Sequence, residues 1–144
     1  MNDMHASGLS AAAIADLRAA AVKAAESAYA PYSGFRVGCA LLLEDGRVVT
    51  GCNVENASYR LTNCAEQVAV GKAVSEGGDV KLRAVAVANL NGAMSSPCGA
   101  CRQTLWEFGE AGTVVFYPGE GGVESEITLG ELLPLGFRLG VKSE

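Results

Sequence analysis

Three cysteines and one glutamate constrain this chain more than any other residues. Cys64 and Glu66 lie in Thr62-Asn63-Cys64-Ala65-Glu66-Gln67, and Cys98 and Cys101 in Pro97-Cys98-Gly99-Ala100-Cys101-Arg102. Three thiolates suit one Zn²⁺, and three protein ligands leave a tetrahedral ion one position for water. A nearby carboxylate that is not itself a ligand is placed to move that water's proton. For these side chains to meet, the chain between the motifs must leave the site and return. Both motifs stand where a loop enters a helix, so two helix N-termini are expected to point at one spot beyond the strand ends. Their partial positive charge stabilises thiolates and lowers their pKa.

Alone, Cys98-Gly99-Ala100-Cys101 fits a redox pair or half of a structural zinc site as readily as catalysis. A redox pair has no need of Cys64 or Glu66. A structural site is closed by a fourth protein ligand, and none is well placed. The one histidine, His5, lies in an N-terminal stretch expected to be mobile, while Cys39 and Cys52 fall within apolar runs and read as small buried hydrophobes.

Local patterns supply the elements this convergence needs. Ser10 is placed to cap a helix over residues 11–28, with Ile14, Leu17, Ala21, Ala24, Ala25 and Ala28 at helical spacing before Pro31. Residues 35–43 read as a buried strand and 47–54 as its antiparallel partner, joined through Asp45-Gly46, which supplies the positive φ of a tight turn. A polar loop over 55–63 leads into a second helix from Cys64, stopped by Gly77-Gly78. Residues 80–88 form a third strand, expected to lie parallel to a neighbour after the helical crossover. A helix over 99–108 and strands over 113–117 and 123–127 follow. A last helix over 128–133 is capped by Thr128 with Glu131 and closed by Pro134. The expected architecture is a three-layer α/β/α fold, a mixed sheet of about five strands with helices on both faces, in one domain over residues 1–144.

Composition narrows the partners. The 11 Lys and Arg are scattered and the net charge is −5, so no basic stripe exists to neutralise a polyanion, and a nucleic acid polymer is not the expected partner. The first apolar stretch carries Asp16, Arg18, Lys23 and Glu26, which fits neither a signal sequence nor a membrane span. The expected location is the cytosol, where clustered thiols mean metal or catalysis more often than disulfides.

Four segments in order, Tyr32-Ser33-Gly34-Phe35-Arg36-Val37-Gly38, Gly51-Cys52-Asn53-Val54-Glu55-Asn56-Ala57-Ser58-Tyr59 and the two cysteine motifs, resemble the small homotetrameric cytidine deaminases. Cys-Ala-Glu followed by Pro-Cys-x-x-Cys is the three-thiolate form of the zinc deaminase signature. The resemblance implies one Zn²⁺ per subunit on Cys64, Cys98 and Cys101. It also implies a proton shuttle at Glu66, which serves the activated water, ring N3 and the departing amino group in turn. It assigns Phe35 to stacking near the pyrimidine and Asn53 and Glu55 to the ribose. Ala65 joins the substrate contacts, with Tyr59 beside the nucleoside at a subunit interface and Phe137 reaching a neighbouring subunit's pocket. The implied reaction is hydrolysis of cytidine and deoxycytidine to uridine and deoxyuridine with release of ammonia. The alternative is a deaminase of a modified cytosine nucleoside such as an aminoacylnucleoside antibiotic.

Two positions depart from the family pattern. Gln67 stands where many relatives carry Arg, and three thiolates leave Zn²⁺ with net negative charge, so compensation is expected from Arg102 and the two helix termini. Arg60 stands where Gly or Pro is usual, and the sequence assigns it no role.

Overall fold

A computed structural model describes residues 5–140. The elements in chain order are α1 (Ala11–Ala25), β1 (Val37–Leu43), β2 (Val48–Cys52), α2 (Ala65–Glu76), β3 (Leu82–Asn89), α3 (Gly99–Phe108), β4 (Val114–Pro118), β5 (Glu124–Thr128) and α4 (Leu129–Leu132). The sheet runs β2-β1-β3-β4-β5. Among the described strands only the β3–β4 pair is parallel. The parallel neighbour expected for the third strand is therefore β4, reached through α3. The crossover through α2 skips one place and sets β3 antiparallel to β1.

Strand alternation sorts side chains onto two faces. Cys39, Leu41, Leu43, Val49, Val85, Val87 and Val115 pack with Ala69, Val70 and Ala73 of α2, Leu105 of α3 and Leu129 and Leu132 of α4. Ala40, Ala84, Ala86 and Phe116 face the other way, against Leu17 and Ala21 of α1. This gives the three-layer α/β/α arrangement.

Glycines let both helices approach the sheet at backbone distance. A Cβ on Gly38 would lie 2.0 Å from the Ala21 carbonyl oxygen in α1, and one on Gly51 would lie 2.5 Å from the Ala69 nitrogen in α2. Alanine at the facing helical positions completes the fit. No helix among the described residues is long and apolar enough to cross a membrane.

Several boundaries move for tertiary reasons. α1 stops at Ala25 because the backbone of Tyr29 is drawn to the exit of β2: its N–H donates to Asn53 and its carbonyl accepts from Glu55. β1 begins at Val37 rather than at Phe35, since the N–H groups of Phe35 and Arg36 donate to side chains, leaving one backbone bond, from Leu90 N to the Arg36 carbonyl, ahead of the strand. The third strand starts at Leu82. The Thr128–Glu131 capping box forms as expected, and α4 ends at Leu132. His5 is fixed, contrary to expectation: its ring meets Phe116 edge-on at 5.6 Å, pairs with Glu126 and bonds Ser7.

Candidate active site

Both cysteine motifs open helices at the same end of the sheet. Cys64 is the N-cap of α2 and Cys98 the N-cap of α3, each with extended backbone. Cys101 follows in the first turn of α3, and its N–H donates to Cys98 Sγ at 3.5 Å. The three sulfurs lie within 4.8 Å of one another, with Cys64 and Cys98 at 4.0 Å. Zn–S bonds of about 2.3 Å in a tetrahedron place sulfurs roughly 3.8 Å apart, so the cluster fits one zinc ion with little adjustment.

The electrostatics follow from this crowding. Hydrogen bonding from Cys101 lowers the Cys64 thiol to about 7, against the opposing effects of burial and of the Glu66 charge. The same contact, with burial, holds the proton on Cys101 and raises its pKa.

Glu66 stands in the first turn of α2 and is only 5% exposed. Burial raises its carboxyl above the usual range, partly offset by its own backbone N–H and by the Cys101 thiol. Cys39 is fully buried, and burial together with the Glu66 charge holds it as a neutral thiol.

A cavity of about 200 Å³ opens in front of this cluster. Asn53, Cys64, Ala65, Glu66 and Cys98 line it, as do Val37, Thr62, Val87, Ser95 and Ser96, which sequence reasoning did not single out. Thr62, Ser95 and Ser96 carried a usable signal in standing just ahead of the cysteines. Val37 and Val87 carried none, being ordinary strand residues. A larger groove of about 510 Å³ between α1 and β5 lies away from the thiols.

The remaining candidates ring the mouth or stand apart from it. Asn53 is buried, with its Oδ1 accepting from Val37 N at 2.9 Å and its Nδ2 donating to the Phe35 carbonyl at 2.8 Å. One lone pair and one N–H of its carboxamide are left for a ligand. The Glu55 carboxylate accepts from Tyr32 N at 3.0 Å, from Ser33 N at 3.1 Å and from the Ser33 hydroxyl. Those bonds, the Ser33 hydroxyl first, hold its pKa below the ordinary value. Phe35 is 48% exposed, and neither it, Glu55, Tyr59 nor Phe137 lines the cavity within one chain. Tyr59 meets Tyr32 edge-on at 6.2 Å, and Phe137 is held through its carbonyl by Gln103.

Arg102 does not reach a sulfur. Its Nε donates to the Pro97 carbonyl at 2.8 Å and its Nη1 to the Leu132 carbonyl at 3.0 Å, tying the cysteine loop to the end of α4. Any compensation of the thiolates by Arg102 therefore acts through its charge and through the loop it holds, without a bond to sulfur. Gln67 is half-buried and forms no side-chain hydrogen bond with the described residues. Arg60 is exposed.

Comparison with known proteins places this geometry. Residues 13–117 match the family model for the cytidine and deoxycytidylate deaminase zinc-binding region. A cytidine deaminase of Halalkalibacterium halodurans is 50% identical over 117 residues, covering 81% of this chain and 88% of that protein. One from Mycobacterium tuberculosis is 48% identical over 123 residues, covering 85% and 88%. The crystal structure of cytidine deaminase from Burkholderia pseudomallei superposes with a TM-score of 0.78 at 44% identity, covering 85% of this chain and 98% of that one. Matches of this extent, joined to a three-sulfur cluster beside a buried glutamate, establish that the chain belongs to the cytidine and deoxycytidylate deaminase family.

Proposed function

We propose that the chain is a zinc-dependent enzyme that hydrolyses cytidine and deoxycytidine to uridine and deoxyuridine, releasing ammonia. The observation that carries this reading is the closure of three sulfurs to within 4.8 Å, two of them, Cys64 and Cys98, lining a cavity that Glu66 also lines. The relatives matching over most of the chain bear the name cytidine deaminase, which favours unmodified nucleosides over the modified-nucleoside alternative.

Cys64, Cys98 and Cys101 would hold the ion. When bound, Zn²⁺ supplies a Lewis acid that brings the pKa of a water to near neutrality. Glu66, its basicity raised by burial, accepts a proton from that water and delivers it to ring N3 as oxygen adds at C4. It then carries the proton of the hydroxyl added at C4 to the amino group, so that the C4–N bond breaks, ammonia leaves and the C4 carbonyl of uridine forms. One carboxylate serves as base and acid in turn because the water attacks and the amine departs within the same small volume. Asn53 and Glu55 orient the ribose, Ala65 lies against the base at the start of α2, and Phe35 stacks on the pyrimidine.

We further infer one catalytic domain over residues 1–144, acting in the cytosol as a homotetramer. The exposed Tyr59, Leu135, Phe137 and Leu139 support an assembly in which neighbouring subunits complete the pocket. Sedimentation tests the assembly, and a stable monomer with full turnover argues against it.

Ammonia release from a panel of nucleosides, with zinc measured on the same sample, tests the function. The expected result is turnover of cytidine and deoxycytidine by protein holding about one zinc per chain. Zinc-loaded protein that leaves both nucleosides intact would refute the reading.

A further inference from the structure

The backbone ahead of β1 is held by side chains on both flanks, beside one backbone bond from Leu90 N to the Arg36 carbonyl that continues the pairing with β3. On the β2 side, the Asn53 carboxamide accepts from Val37 N and donates to the Phe35 carbonyl. On the β3 side, Asn91 does the equivalent. Its Oδ1 accepts from Arg36 N at 3.0 Å and its Nδ2 donates to the Gly34 carbonyl at 3.0 Å. Asn91 therefore grips the residues on either side of Phe35. The Phe35 N–H donates to Ser33 Oγ at 3.0 Å, and Ser33 is in turn bound by Glu55.

This clamp continues to a residue that lines the cavity. Asn91 N donates to Asn89 Oδ1 at 2.7 Å, and Asn89 Nδ2 donates to Ser95 Oγ at 2.7 Å. Ser95 lines the cavity just ahead of Cys98. Two loops distant in sequence are thus one hydrogen-bonded unit. Asn53 and Asn91 each accept from a backbone N–H and donate to a carbonyl, so each of these two carboxamides has a single consistent orientation.

Phe35 needs such a device. Its side chain is 48% exposed, so core packing does not set its position. An aromatic ring that stacks on a ligand contributes affinity in proportion to how little ordering remains to be done on binding.

We propose that Asn91 is a positioning residue for nucleoside binding, acting through Phe35. The proposal rests on the deaminase reading above. Asn91 touches neither the sulfur cluster nor Glu66, so its removal affects capture of the substrate and leaves the chemical step alone.

Steady-state deamination of cytidine by zinc-loaded wild type, Asn91→Ala, Phe35→Ala and the double variant tests this. Loss of two neutral hydrogen bonds is expected to raise KM by roughly tenfold with kcat changed less than about twofold. In the Phe35→Ala background the same substitution should change KM by less than about twofold, because the residue through which it acts is gone. Asn91→Asp keeps the acceptor for Arg36 N–H but loses the donor to Gly34, so it should fall between, and it carries the comparison if the alanine variant does not fold. An unchanged KM in the single variants, or an equal rise with and without Phe35, overturns the proposal. So does a fall in kcat accompanied by loss of zinc. Wild type that releases no ammonia from cytidine defeats the functional reading and this proposal together, whereas active wild type beside an unaffected Asn91→Ala defeats the proposal alone.

Discussion

Replacing Gly51 by alanine tests how the fold positions the chemistry. A Cβ there would lie 2.5 Å from Ala69 N, 2.8 Å from Ala65 O and 2.9 Å from Ala69 Cα. All three are backbone atoms of α2, so no side-chain rotation relieves the clash. Restoring ordinary contact moves the helix off β2 by roughly 1 Å, and overpacking of this kind costs about 1–3 kcal/mol. For a domain this size the melting temperature should fall by about 3–10 °C. The same helix carries Cys64 at its cap and Glu66 in its first turn, and misplacement by about 1 Å costs on the order of 100-fold in rate. Circular dichroism melting and ammonia release on zinc-loaded protein measure the two effects. Gly71→Ala provides the control on the same helix. A Cβ at Gly71 meets nothing within 4 Å. That substitution should therefore stabilise by about 1 kcal/mol and leave turnover unchanged. If Gly51→Ala melts with wild type and retains full turnover, the argument from close approach is wrong.

Other outcomes follow from the same geometry. Glu66→Gln should retain zinc while turnover falls by about 100- to 10,000-fold, and activity above a tenth of wild type would remove Glu66 as the proton carrier. Glu55 has a folded pKa below its ordinary 4.5, so its stabilisation is fully present above that value and lost as pH falls through the lower folded one. The melting-temperature advantage of wild type over Glu55→Gln should hold at neutral pH and shrink below about pH 4.5; a constant difference would show that the carboxylate's charge is not what anchors Ser33. Arg102→Gln frees the Pro97 and Leu132 carbonyls and should weaken zinc retention against a chelator by about 10- to 100-fold, with partial recovery in Arg102→Lys. Unaltered zinc loss in Arg102→Gln would mean that the tie does not support the cysteine loop.

Much of this molecule is written in local patterns. Ser10, Asp45-Gly46, Gly77-Gly78 and the Thr128–Glu131 pair mark element ends because caps and positive φ angles depend on neighbouring residues alone. The sulfur cluster and Glu66 were equally legible, since each motif sits at a helix start and four side chains of such chemistry have few other uses. Tertiary structure decided what depends on partners distant in sequence. The place of β3 beside β1, the early end of α1 at the Tyr29 bridge and the docking of His5 on Phe116 are all of this kind. So is the turn of Arg102 toward carbonyls instead of thiolates, because an adjacent position in sequence does not fix where a long, flexible side chain finds its acceptors. Cavity residues such as Val37 and Val87 stayed hidden for the same reason: a strand valine becomes part of a site only through what the rest of the chain brings opposite it.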